Sequence, residues 1–395
     1  MASYASAHSP TESRSLTLRS LLSVFGAGPG HQKSESVNVE KDDETIPGQL
    51  PLLPAGNFFG NVSAVAQIIW AFTKNDLFTS TLPNTIFGIT AAIADTHLRG
   101  EASEGPTFSE IIARFPLTYF FNFYALLIFN LGNQRPREGS IAEERVNNKK
   151  PLPSGKTITT PGQIRRAYLI LLPITLAVNH LFGVWHEGLM IHLLTFIYND
   201  LGGGNEPFVR DIILGISFGY INSASLKIAL SATTTTATTT TTISSSSSSS
   251  SSSPHGHTWT WLNLVSVLIA TTIGCQEFKN HKDHHGQEGG GGGGDDGKTM
   301  MRNNKRKKTL AIFLGEAAVP RAQLAMMMPL WTLVCAWFWR LKISVAASFL
   351  LYSLFVASRV LTQRNAGAEE RTWRFWARWT VVVYLFPVVA VLSAD

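Results

Sequence analysis

Cysteine is nearly missing from this chain of 395 residues, which has two, Cys275 and Cys335. Two thiols build no disulfide framework. Each falls in or at the edge of an apolar stretch, so both read as small buried apolar side chains and not as a bridge or zinc ligands. Residues 1 to about 60 hold no apolar run long enough for a secretory signal. The net charge of +6 does not imply nucleic acid, because Lys and Arg stand beside apolar stretches and are not interleaved with the exposed aromatics that base stacking needs. The glycine run 289–294 lacks the strand, Lys and Ser/Thr context of a phosphate-binding loop and reads as a flexible insertion. No self-similarity relates the two halves, which speaks against the inverted repeats of a transporter.

What the chain does have is apolar stretches of membrane-spanning length. Nine qualify on length and apolarity: about 77–94, 109–131, 163–184, 185–199, 208–231, 258–275, 322–339, 343–361 and 374–393. The expected fold class is therefore an all-α, polytopic membrane bundle of about nine transmembrane helices. Pro83, Pro116, Pro173, Pro329 and Pro387 lie within or at the start of these spans, where neighbouring helices can satisfy the freed carbonyls. Residues 1–64 read as a disordered tail rich in Ser, Pro and charge, with a mitochondrial presequence around SLTLRSLLSVF as the alternative. Residues 65–395 form the transmembrane domain, with low-complexity loop insertions at 232–257 and 286–305.

Crossing parity assigns sides to the loops. The second-to-third loop carries Arg135, Arg137, Arg145, Lys149, Lys150 and Lys156, and the sixth-to-seventh carries Lys279, Lys282, Lys298 and the basic run from Arg302 to Lys308. Four helices separate the two, so both lie on one face, which the positive-inside rule makes cytosolic. The fifth-to-sixth loop, on the other face, has no Lys or Arg, whereas Arg340 and Lys342 break the pattern. The protein is expected to be an integral, multi-pass protein of the endoplasmic reticulum with its two basic loops in the cytosol.

Polar clusters open both of those loops. In NQRPREGSIAEERVNNKKPLPSGK, Asn133 to Lys156, a continuing helix would put Glu143, Glu144 and Asn147 on one face. Oxygen ligands so grouped suit Mg2+, which is commonly held by one or two carboxylates plus substrate phosphates. In TTIGCQEFKNHKDHHG, Thr271 to Gly286, helical spacing relates Gln276, Asn280 and Asp283, and likewise Glu277, Asn280 and His284. Facing a common cavity, the two clusters could hold Mg2+ on a diphosphate, with Lys149, Lys150, Lys279 or Lys282 neutralising the leaving group. Zinc on His281, His284 and His285 is disfavoured by Lys279 and Lys282 among them. Trp70, Phe120, Phe121, Tyr124, Tyr198, Phe218 and Tyr220 are candidates to face a carbocation, with lipid contact or packing as the alternative for each.

These strings resemble the motifs of the UbiA prenyltransferase superfamily, especially its fungal branch of membrane-bound terpene cyclases. The first cluster is similar to the family's NQ…S…ED…NKP.RPIPSGR, QEFKNHKDHHG resembles QDF.D..GD, and RKKTLAIFLGE, Arg306 to Glu316, resembles the GR.TLP..FGE that follows. WAFTKNDLFTSTLPNTIFGI (70–89), YNDLGGGNEPFVRD (198–211) and ASRVLTQRNAGAEERTWRFW (357–376) are similar in style, so the likeness extends over about 65–395. It implies a nine-helix bundle that ionises an isoprenyl diphosphate, such as farnesyl diphosphate, with Mg2+. On that likeness Glu144, Glu277 and Asn280 are catalytic, and Asn133, Lys149, Lys150, Gln276 and Lys279 bind substrate. Glu143, Glu144, Asn147, Glu277, Asn280 and Asp283 are the metal ligands. The NQ form points to cyclisation to a terpene in secondary metabolism, with transfer of the prenyl group to an aromatic or other acceptor as the alternative. The substrate and the lipid bilayer are the implied partners, without an obligatory protein. The chain also departs from the family: its three acidic positions in the second motif fall on Glu277, Asn280 and His284, which leaves a non-catalytic, degenerate member as a further alternative.

The parity argument is open to direct test. Glycosylation or cysteine-labelling reporters placed in 135–156 and in 276–316 should report the same side of the membrane, and opposite sides would overturn it.

Overall fold

In lipid no water satisfies backbone N–H and C=O groups, so a chain of long apolar runs closes its hydrogen bonds within helices. The computed structural model describes residues 66–67, 69–70, 72–74, 76–100, 105–134, 161–231, 254–274, 318–362 and 366–394, and every regular element among them is helical. A π-helix, Leu77–Thr81, runs into α1 (Leu82–Arg99), followed by α2 (Phe108–Ala113), α3 (Phe115–Gln134), α4 (Pro161–Leu181) and α5 (Trp185–Asn199). A short 3-10 turn, Gly203–Asn205, leads to α6 (Pro207–Leu230) and α7 (Gly256–Thr272). The last four are α8 (Ala318–Phe338), α9 (Ile343–Thr362), α10 (Ala366–Tyr384) and α11 (Phe386–Ala394).

Each of the nine expected stretches carries helix, but only five among the described residues are both long and apolar enough to cross a membrane. These are Leu77–Arg99, Phe108–Asn133, Phe208–Leu230, Ile343–Thr362 and Arg371–Ser393. α5, with 15 residues, and α7, with 17, reach about 23 and 26 Å at 1.5 Å per residue, short of a hydrocarbon core of about 30 Å. α4 and α8 carry Arg165 with Arg166, and Arg321 with Gln323, in their first two turns. Outward-facing Ile170, Leu181, Trp337, Ile343 and Leu351 are all well exposed, which is the surface of a bundle set in lipid.

Two stretches expected as single helices run through with one irregular residue each. The second is interrupted at Arg114, between α2 and α3 with Pro116 at the second position of α3, and the ninth at Leu385, ahead of Pro387, while Thr118 N–H to Arg114 O (3.0 Å) and Val389 N–H to Leu385 O (3.0 Å) carry the helix on. Proline lacks an N–H and its ring crowds the carbonyl four residues earlier. Pro173 and Pro329, by contrast, sit inside α4 and α8. Thr107 caps α2 in a box: Glu110 N–H donates to Thr107 Oγ1 (3.4 Å) and Thr107 N–H to Glu110 Oε2 (2.7 Å).

α6 is the hub, packed on α1, α3, α5 and α7. Its register with α7 is antiparallel and close. A Cβ on Gly215 would lie 2.6 Å from Ala270 Cβ and 2.8 Å from Ser266 O, and one on Gly219 would lie 2.5 Å from Ser266 Oγ. The two glycines are four residues apart, the small-residue spacing that lets membrane helices approach backbone to backbone. α1 runs parallel to α6, with Gly88 against the backbone of Ser225. α3 runs antiparallel to both: Asn122 Nδ2 donates to Thr85 Oγ1 (3.1 Å) and Ser225 Oγ (2.9 Å) at mid-helix, while Asn130 Nδ2 donates to Phe72 O (2.7 Å) near the start of the π-helix.

These pairings fix which helix ends lie together. One end of the bundle gathers Asp76, Asn133, Asn199, Asp211 and Gly274. At the opposite end Asp95 accepts the His255 N–H (2.7 Å) ahead of α7, and Glu187 of α5 meets Lys227 of α6 (2.5 Å).

The glycine contacts predict a stability difference. Gly215→Leu overpacks the α6–α7 contact and should cost about 1–3 kcal/mol, read as a lower thermal midpoint in detergent. Gly256→Ala, where a Cβ meets nothing within 4 Å, should change stability by less than about 0.5 kcal/mol.

Candidate functional site

Asn133 is the one expected site residue among those described. It lies in the last turn of α3, half-buried, and its Oδ1 is buried with no hydrogen-bond partner among the described residues. Glu143, Glu144, Asn147, Lys149, Lys150, Gln276, Glu277, Lys279, Asn280 and Asp283 lie outside the described residues. What can be placed is the pair of points from which their segments leave, just after Gln134 and just after Gly274. The helix register puts both at the same end of the bundle.

Close packing builds that end. A Cβ on Gly132 would lie 2.8 Å from Thr195 Cγ2 and 3.3 Å from Asn199 Nδ2, so the last turn of α3 is pressed onto the last turn of α5. The connection to α6 turns at Gly202, whose φ of 78° is the left-handed conformation glycine adopts without strain. Gly204 then lies against the Tyr198 ring, where a Cβ would come within 2.7 Å. This tight turn sets the start of α6 beside the end of α7. Asn130 Nδ2 also approaches Asp76 Oδ2 (3.4 Å), which draws the start of the π-helix to the same end.

One residue that sequence reasoning did not single out stands there. Asp211, in the second turn of α6, has Oδ2 4.0 Å from the position of a Gly274 Cβ, and its Oδ1 is buried with no hydrogen-bond partner among the described residues. A carboxylate inside an apolar segment is costly, and such residues cluster at functional sites. That was the available signal, since Asp211 falls inside the expected span 208–231. Asn133 Oδ1 and Asp211 Oδ1, both at this end of the bundle, are unclaimed hard-oxygen acceptors, the donor type Mg2+ takes. Among the described residues no three His, Cys, Asp or Glu side chains gather as a metal cluster. Cys335 is a free, buried thiol, as expected of a small apolar residue.

The candidate aromatic wall divides. Trp70 and Phe120 are at least half exposed and so face away from the interior. Phe121 and Tyr124 are buried in a cluster with Val184, Ile191, Ala224 and Ile228, where the Tyr124 hydroxyl donates to Asn179 Oδ1. Tyr198 packs on Phe129 at 5.7 Å between ring centroids, and Phe218 and Tyr220 are half-buried. An open groove between α8 and α9, lined by Ala322, Ala325, Met326, Leu354, Ala357, Ser358 and Leu361, touches none of the helices that carry Asn133, Asp211 or Gly274.

Comparison with protein-family models and with curated proteins finds no match. A solved structure of a digeranylgeranylglyceryl phosphate synthase in membranes is similar, with a TM-score of 0.49 and 12% identity over 84% of this chain and 99% of that one. A likeness at that score carries neither fold nor function to this chain.

The contact between α6 and α7 can be checked chemically. With Cys275 and Cys335 replaced, the pair Asp211→Cys and Gly274→Cys should be joined by a short bifunctional thiol reagent in membranes. The pair Asp211→Cys and Ser231→Cys, at opposite ends of α6, should not.

Proposed function

We propose that the protein is a membrane-embedded enzyme of the UbiA type that binds an isoprenyl diphosphate with Mg2+ and ionises it, cyclising the resulting allylic cation to a terpene. The observation that carries this reading is the shared position of two chain exits. The segments holding Asn133 to Lys156 and Gln276 to Glu316 leave the bundle at one end, beside the unclaimed oxygens of Asn133 and Asp211. Two motifs that must meet one diphosphate need that arrangement.

The donor set fits magnesium, since Glu143, Glu144, Asn147, Glu277, Asn280 and Asp283 offer only oxygen, as do Asn133 and Asp211. Bound there, the ion would supply charge stabilisation to the departing diphosphate. The chain's own part is to hold and orient. Lys149, Lys150 and Lys279 offset the phosphate charge, Gln276 and Asn133 hydrogen-bond its oxygens, and the apolar helices keep water from the cation. Asp211 adds a carboxylate at Gly274, ahead of a second motif that has Asn280 and His284 where the family has acids.

In microsomes given an isoprenyl diphosphate and Mg2+ without an acceptor, pyrophosphate and a hydrocarbon should appear. Turnover only with an added aromatic acceptor would make the protein a transferase instead. Glu144→Ala and Glu277→Ala should each lower pyrophosphate release at least about a hundredfold. His284→Asp should raise activity or lower the Mg2+ needed for half-maximal rate. No pyrophosphate from any isoprenyl diphosphate, with or without acceptors, would sink the enzymatic reading.

A further inference from the structure

Midway along the bundle lies a second group of polar side chains, unrelated to the two motifs. Asn84 of α1, Asn222 of α6 and Tyr384 at the end of α10 are 1%, 0% and 0% exposed. Asn222 Nδ2 donates weakly to the Tyr384 hydroxyl oxygen (3.4 Å), while Asn222 Oδ1 and Asn84 Oδ1 have no hydrogen-bond partner among the described residues. The register makes the two amides level. Gly88 touches Ser225, α1 and α6 run parallel, and Asn84 and Asn222 each lie one turn earlier on their helices. Tyr384 is fixed in place, because Thr90 Oγ1 donates to its carbonyl oxygen (2.7 Å) and the Phe87 ring meets its ring edge-on at 5.0 Å between centroids.

A neighbouring amide shows that this bundle can satisfy buried polar groups. Asn122 has partners within reach at both ends: Thr85 Oγ1, Thr118 O and Ser225 Oγ stand around the two Nδ2 hydrogens, and Ser225 Oγ lies 3.2 Å from Oδ1. Turning the Asn222 amide over does not repair its deficit, since it only exchanges which end is orphaned. In an apolar bundle two unclaimed carbonyl acceptors beside a tyrosine hydroxyl are costly unless something donates to them. Buried water takes about three hydrogen bonds from groups so placed, whereas truly empty internal space is apolar.

We propose that Asn84, Asn222 and Tyr384 form a buried site for one hydroxyl group, whose oxygen accepts from the Tyr384 hydroxyl and which donates to the amide oxygens, to both of them when it is a water and to one of them when it is an alcohol. The group belongs to a water molecule or to the hydroxyl of a lipid-like alcohol, and the site does not depend on the catalytic reading. It stands on burial and register alone.

A high-resolution structure of the full chain in lipid nanodiscs, with thermal unfolding of Asn84→Leu, Asn222→Leu and Tyr384→Phe, tests this. Density bridging Asn84 Oδ1 and Asn222 Oδ1 is expected, and the leucine variants should unfold at or below the parent temperature. Farnesol should raise the parent's midpoint more than the hydrocarbon farnesene does, by mass action on the folded state, and the variants should lose that difference. Bridging density with equal effects of farnesol and farnesene assigns the site to water. Should a leucine variant fail to fold, Tyr384→Phe, which removes only the hydroxyl, carries the same comparison. Higher midpoints for the leucine variants without bridging density would overturn the proposal, because the amides would then be dry polar groups whose removal stabilises.

Discussion

The close approach of α6 and α7 is the constraint on which the rest of the arrangement depends. Gly215 and Gly219 leave no room for a side chain, so the two backbones touch and only one register is open to them. That register places Asp211 at Gly274. Because α6 also packs on α1, α3 and α5, the same fixed helix sets the height of Asn133, Asn199 and Asp76 at one end and of Glu187 and Asp95 at the other. In lipid the hydrophobic effect does not hold helices together, so such steric fits and the hydrogen bonds between helices carry much of the specificity.

Polar side chains inside the bundle fall into two kinds. Asn122 and Glu187 are engaged by partners on other helices and Asp95 by the N–H of His255 ahead of α7, and these contacts tie the fold together. Asn133, Asp211, Asn84 and Asn222 keep acceptor oxygens that nothing among the described residues claims. Bundles without a function for such groups would gain by replacing them with apolar side chains. They fall in two groups, two at the motif end and two at mid-height near Tyr384.

Helical character could be read directly from sequence, since stretches such as 208–231 and 343–361 are too apolar and too long for anything else. Their interruptions could not. Pro173 and Pro329 sit inside α4 and α8, whereas Pro116 and Pro387 each stand two residues after a single irregular residue, and the sequence around the four does not separate the two outcomes. The short α5 and α7 met the apolarity expected of a span but not the length. At the site, parity of crossings led to the expectation that the two loops share a face, and the register of α3, α6 and α7 puts Asn133 and Gly274 at one end of the bundle. Asp211 escaped notice because its nearness to Gly274 is a property of the α6–α7 register, and a residue-by-residue reading of ligands contains no register. The aromatic candidates show the same limit, for ring type does not say that Phe121 turns inward and Phe120 outward.

The central claim is that one end of this bundle holds a metal-bound diphosphate between the two motifs. Mn2+ in place of Mg2+ makes that end visible by electron paramagnetic resonance on the full chain in nanodiscs. With nitroxide labels attached singly at Gln134→Cys, Gly274→Cys or Ser231→Cys in a background lacking the native cysteines, Mn2+ together with an isoprenyl diphosphate should broaden the first two signals and leave the third sharp. Broadening at position 231 instead, or none at 134 and 274 when both ligands are present, would contradict the account.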